Sequence, residues 1–170
     1  MEYPPIKLAA NVLNSRGMAW ERADNLEKAR EDYEKAIAVN PDYVNAYNNR
    51  GNIKSKQKDY DGAMADYNRA INLNGQLVEA HFNRGIAREN LGDLSGAIED
   101  FNRAIELDSE YGDAYFRRGS LRERLGDYPG ALSDFDRVLA IDPESQNNLM
   151  KFRERAATLL KKAAQKPPNP

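Results

Sequence analysis

Apolar residues along the chain recur at spacings of three and four. Tyr60, Ala63, Met64, Tyr67, Ala70, Ile71 and Leu73 form one such run, the signature of an amphipathic helix. Ahead of it, Ala46, Tyr47, Gly51 and Ile53 mark another helix, and Lys58-Asp59 reads as the turn between them. A break follows each second helix, at Asn40-Pro41, Asn74-Gly75, Asp108-Ser109 and Asp142-Pro143. Proline fits there because it lies outside the hydrogen-bonded helix. The pattern predicts helical hairpins and no strands.

The hairpins repeat. Glycines stand at Gly17, Gly51, Gly85 and Gly119, each 34 residues from the last. Ala29, Ala63, Ala97 and Ala131 keep that spacing, as do Tyr33, Tyr67, Phe101 and Phe135, and then Ala36, Ala70, Ala104 and Val138. A repeat of this length means one supersecondary unit per copy, stacked because a single hairpin cannot bury both its faces. Glycine inside a helix costs about 1 kcal/mol relative to alanine. Its recurrence therefore marks a place where two helices approach closely enough to offset that cost.

The sequence is 170 residues long, 41% hydrophobic and 31% charged, with 25 Lys plus Arg against 27 Asp plus Glu. This is too apolar for a disordered chain. The net charge of −2 argues against a nucleic-acid binder built on a basic surface. No apolar run is long enough for a transmembrane helix, and Met1-Glu2-Tyr3-Pro4-Pro5 lacks the layout of a secretory signal. Cysteine is absent and His81 is the single histidine. Disulfides, thiolate chemistry and multi-histidine metal sites are thereby excluded. A Ser-His-Asp triad would rest on that one ring. Neither an enzyme nor a cofactor or metal site is expected.

The residues at these positions resemble the tetratricopeptide repeat (TPR) family. Tyr47, Gly51, Ala63, Tyr67 and Ala70 match its pattern in the second copy, and Tyr115, Gly119, Ala131, Phe135 and Pro143 in the fourth. The resemblance implies an all-α, right-handed solenoid with units at 10–43, 44–77, 78–111 and 112–145. Residues 1–9 are then a lead-in. The stripe Leu149, Phe152, Ala156, Leu159, Leu160 and Ala163 makes 146–164 an expected capping helix. Residues 165–170, with three prolines, read as a disordered tail.

The chain departs from the family in two places that recur. Arginine precedes the glycine in every copy, as Arg16, Arg50, Arg84 and Arg118, where leucine is usual. Aspartate precedes the second-helix aromatic in every copy, as Asp32, Asp66, Asp100 and Asp134. A cation and an anion recurring together on facing helices predict a salt bridge inside each hairpin. His81 and Trp20 stand at family packing positions and read as core residues.

The first helices are expected to line a concave groove. Its inward stripe is rich in asparagine: Asn11 and Asn14, then Asn45, Asn48, Asn49 and Asn52, then Asn83. A carboxamide donates and accepts at once, so a column of them can pair with the backbone of an extended chain. Phe82 and Phe116 would add apolar anchor points, and Met18 an adaptable one. At the ladder position Asn49 and Asn83 resemble the asparagine ladder of O-linked N-acetylglucosamine transferase, while Ser15 and Arg117 depart from it. The carboxylate clamp of chaperone-binding TPR domains is a second precedent. Asn52, Asn83 and Arg117 match it, whereas Asn48 and Asp113 occupy its two lysine positions.

These features imply a non-catalytic protein–protein interaction module that takes an extended peptide or a short helix in its groove. The alternatives are a self-assembling scaffold that uses the groove or residues 146–164, and a co-chaperone with a degenerate clamp. The partner is another protein or peptide, or a second copy, with no nucleic acid and no membrane insertion. The Asn-Arg-Gly and Asp-Tyr/Phe style is similar to repeats of bacteria and plant organelles, which leaves the compartment open.

Overall fold

The computed structural model describes residues 5–165 as helices joined by short turns, with no strand among them. They fall into two units, residues 1–93 and 94–170. In the first, α1 (Pro5–Arg22) pairs with α2 (Leu26–Val39) and α3 (Val44–Lys56) with α4 (Tyr60–Leu73), and α5 (Val78–Leu91) packs on α4. In the second, α6 (Leu94–Leu107) packs on α7 (Gly112–Arg124), α7 pairs with α8 (Tyr128–Ile141), and a short 3-10 turn leads into α9 (Gln146–Ala164).

α1 starts at Pro5, inside the stretch read as a lead-in. Proline suits the first turn of a helix, where its missing N–H has no partner to lose. The expected tail lies outside the described residues except for Gln165, and so does the side chain of Leu149.

Each hairpin is closed by the same local chemistry. Asn25, Asp59 and Asp127 cap α2, α4 and α8 by accepting a hydrogen bond from the backbone three residues on. The residue before each cap position lies in the left-handed region: Asp24 at φ 57°, Lys58 at 64°, Gly92 at 86° and Gly126 at 85°. Two copies thus place glycine where the turn needs it, and two hold an L-residue there at a cost. After each second helix, the Oδ1 of Asn40, Asn74, Asp108 or Asp142 accepts from the N–H two residues on, which turns the chain into the next first helix.

The core is a series of small residues around one ring per hairpin. Tyr33, Tyr67, Phe101 and Phe135 are at most 1% exposed. Gly51 lies so close to its ring that an added Cβ would sit 2.6 Å from Cε1 of Tyr67, and at Gly119 the clearance to Cε1 of Phe135 is 2.9 Å. The first helix can approach the second only because that atom is missing. In the second unit Phe135 also meets Phe116 and Phe152, the ring centroids 6.2 and 6.1 Å away.

Two substitutions should move stability in opposite directions. Gly51→Ala gains about 1 kcal/mol in helix propensity but overpacks a site where Tyr67 cannot yield, a loss of about 1–3 kcal/mol. It should lower the urea midpoint. Lys58→Gly relieves a left-handed L-residue, whose cost is about 1–2 kcal/mol, and should raise it. Equal midpoints for the two variants would contradict this account of the turn and the close approach.

Candidate peptide-binding face and its supporting ion pairs

Charge in the hairpins is organised by the second-helix aspartates. Asp32, Asp66 and Asp134 are buried to 4% exposure or less. Arg16 grips Asp32 through Nε and Nη2 at 2.6 and 2.7 Å, Arg50 grips Asp66 at 2.9 and 2.6 Å, and Arg118 grips Asp134 at 3.0 and 2.6 Å. The guanidinium fork matches a carboxylate in this two-point geometry. A second cation joins each of these aspartates, Lys54 on Asp66 at 2.8 Å, Arg122 on Asp134 at 2.9 Å and, more loosely, Lys35 on Asp32 at 3.9 Å. Hydrogen bonds from Arg16 hold the Asp32 carboxyl below its ordinary range against the upward push of burial. Arg84 and Asp100 belong to different units, and their coupling stays a proposal.

The arginines also reach backwards along the chain. Arg84 Nη1 donates to Asn68 Oδ1 at 2.8 Å, and Arg118 Nη1 to Asn102 Oδ1 at 2.6 Å. Arg50 feels the charge of Glu34, and Arg153 on α9 donates to Asp136. These polar partners, at 34, 68, 102 and 136, keep the repeat spacing and sit one residue after the core ring. Sequence reading missed them because their identity varies among Glu, Asn and Asp. The constant register was the available signal.

In the first unit the faces of α1, α3 and α5 carry the expected carboxamides. Asn49 Nδ2 donates to Asn14 Oδ1 at 3.0 Å, and Asn83 Nδ2 to Asn48 Oδ1 at 3.2 Å. Asn14 and Asn48 are themselves buried, at 5% and 8% exposure. They orient the half-buried Asn49 and Asn83 and contribute little surface of their own. Asn45 is exposed and lines a depression of about 250 Å³ with Asn14, Met18, Asn48, Asn49, Leu77 and Glu79. A neighbouring depression of about 210 Å³ includes Asn52, Asn83 and Ile86.

Core tyrosines prop this face from behind. Tyr67 donates to Asn52 Oδ1 at 2.9 Å, and Tyr33 to Glu21 at 3.0 Å. Lys56 closes on the other Glu21 oxygen at 2.6 Å. Burial pushes both phenols well above their ordinary range, so they stay protonated donors. The role of Glu21 was not foreseen, although Tyr33 and Lys56 both converge on it.

The remaining candidates separate. Phe82 is half-buried in the first unit. Phe116, expected as an anchor on the binding face, is half-buried against Phe152 of α9, edge to face at 5.1 Å. Arg117 is exposed. In the same unit Arg155 of α9 holds buried Glu123 at 2.5 and 2.6 Å, so α9 covers this end of α7. His81 is buried, its Nε2 3.1 Å from the carbonyl of Gly75. Trp20 packs beside Ala29 and Tyr33 beneath Lys28. Among the described residues no three His, Asp or Glu side chains gather as a metal ion would require, and no helix is long and apolar enough to cross a membrane.

Fold and face together define a helical-hairpin repeat array. A family model described as Tetratricopeptide repeat matches residues 82–145, and one described as TPR repeat matches 24–58 and 51–92. The chain belongs to the tetratricopeptide repeat family, whose domains are in general protein–protein interaction modules. Among solved structures it is similar to the MamA protein (TM-score 0.73, 20% identity, 91% of this chain and 90% of that one). It is also similar to the first TPR of Spaghetti (RPAP3) bound to the HSP90 peptide SRMEEVD (0.69, 26%, 71% and 95%). A third likeness is to the Arabidopsis OM64 TPR domain (0.68, 27%, 70% and 98%). No curated protein sequence matches the chain.

The ion pairs give a direct test. Arg118→Ala takes the two-point grip from buried Asp134 and leaves it Arg122 alone, so the loss should stay below the about 3–5 kcal/mol of an uncompensated buried charge. The double change Arg118→Ala/Asp134→Ala should cost clearly less than the sum of the two single ones. At Asp32 the folded-state pKa is depressed. Its stabilisation is therefore complete above the unfolded carboxylate value, about 3.9, and is lost as pH falls through the lower folded value. Asp32→Asn should flatten the acid limb of the stability curve; an unchanged limb would remove Asp32 from it.

Proposed function

We propose that the chain binds an extended segment of a partner protein along the carboxamide face of α1, α3 and α5. The observation that carries this reading is the pair of bonds from Asn49 to Asn14 and from Asn83 to Asn48. Each uses one N–H of a ladder residue. The other N–H and the carbonyl oxygen have no protein partner among the described residues. A backbone amide offers the complementary donor and acceptor, and the ladder residues are already oriented, so less entropy is lost when a peptide docks. Met18 and Ile86 supply apolar contact beside the ladder.

The likeness to a domain bound to an HSP90 peptide supports a peptide ligand and raises a second reading, capture of a C-terminal carboxylate. Here Asn48 is buried and Asp113 is an exposed anion, where the clamp pattern calls for two lysines. Recognition through the backbone needs no free C-terminus. Self-assembly through the apolar stripe of α9 has less support, because Phe152 and Ala156 already pack in the second unit.

A displayed library of random peptides, selected on the wild-type chain, supplies ligands for the test. Asn49→Ala/Asn83→Ala should weaken them at least about tenfold, the loss of one or two hydrogen bonds at about 1 kcal/mol each. Amidating the peptide C-terminus should leave affinity unchanged. Full affinity in the double variant would refute the ladder reading, and a strong amidation effect would favour the clamp.

A further inference from the structure

The outer side of α1, away from the carboxamide face, is more exposed than the same side of the later first helices. Repeat register exposes it. Val12 is 59% exposed, whereas its equivalents Ala46, Ala80 and Ala114 are fully buried. Ala19 is exposed, whereas Ile53, Ala87 and Leu121 are fully buried. The Arg16 side chain is 55% exposed, against 20% for Arg50 and 13% for Arg118. Leu8, one turn before Val12, is 57% exposed.

What covers this face elsewhere in the chain is on view. Ile53 of α3 packs on Ala29 and Tyr33 of α2, and Ala87 of α5 packs on Ala63 and Tyr67 of α4. The residue after the ring then meets the arginine, as Asn68 does with Arg84 and Asn102 with Arg118. The cover is therefore a helix carrying alanine, three residues, Tyr or Phe, then Asn, Asp or Glu. Arg16 uses Nε and Nη2 on Asp32, and no bond from its Nη1 is seen among the described residues.

We propose that the outer face of α1 docks such a helix from a partner protein. Alanine and the ring would pack against Val12 and Ala19, and the polar residue would accept from Arg16 Nη1. A second copy is the poorer occupant, because α2, α4, α6 and α8 are each already packed against the helix that follows them or the one after. The surface uses the chemistry of the internal stacking interface, with charge complementarity supplied by the arginine.

The probe is a peptide of residues 58–75, the α4 sequence, labelled and held helical by a side-chain crosslink between the exposed positions 61 and 65. Fluorescence anisotropy with the full chain should show saturable binding. Val12→Glu, which sets a carboxylate against the apolar cover, should weaken it at least about tenfold, and so should Asn68→Ala in the peptide. Val12 is exposed, so the variant should keep its helical circular dichroism and its groove ligands, which separates this surface from the ladder. No saturation up to roughly 1 mM peptide, or binding indifferent to Val12→Glu, overturns the proposal. A concentration-dependent mass in light scattering that Val12→Glu abolishes would overturn the assigned occupant, giving the face to a second copy.

Discussion

Arginine on a first helix does the joining on which the rest depends. In the fourth copy Arg118 grips Asp134 with two nitrogens and Asn102 of the preceding second helix with the third. A single side chain on α7 thereby fixes α7 against both α6 and α8. Lysine could not do this, because its ammonium is a compact point charge without a planar fork. The buried aspartate makes the arrangement obligatory: once the fold removes Asp134 from water, only a held cation keeps it ionised at acceptable cost. That constraint explains arginine at a position where leucine would bury more apolar surface. It also sets the spacing between hairpins, since the arm of one arginine must span both partners.

The ring and the glycine set the other dimension. Tyr67 lies against Gly51 with no room for a Cβ between them, so the two helices are held close there. The ring's substituent then sets the chemistry of the first-helix face. Tyr33 and Tyr67 send a hydroxyl through to Glu21 and Asn52, so the face there is polar and fixed. Phe135 has no hydroxyl to send, and its surroundings are the aromatic rings of Phe116 and Phe152. A single oxygen atom on a core residue thus changes the chemistry of the opposite surface.

Much of this was legible in the chain. The helical hairpins were legible from apolar spacing, and 146–164 read as a helix from its apolar stripe. The arginine and aspartate columns were legible because both members are constant in type across copies. Three features were not. Burial of Asn14 and Asn48 depends on how far the next first helix leans over, which periodicity does not encode. Phe116 read as a groove residue because its register says so, but α9 packs its Phe152 against that ring. The backward acceptors escaped notice because Glu34, Asn68, Asn102 and Asp136 share only hydrogen-bond acceptance, a property invisible to residue-type matching.

The paired asparagines tie successive first helices of the first unit together. Asn83 donates to Asn48, which lies 35 residues back, and Asn49 donates to Asn14 across the same interval. Each bond ties one first helix to the one before it, so the ladder strengthens stacking. An amide held this way cannot rotate, because turning it over would place its carbonyl oxygen against the neighbour's carbonyl oxygen. Stacking therefore fixes which half of each amide faces outward. A surface built from these residues has a defined polarity along the helices, and a peptide reading it through its backbone would be held in one chain direction. Residue types alone could not convey that direction; it arises from bonds made between repeats.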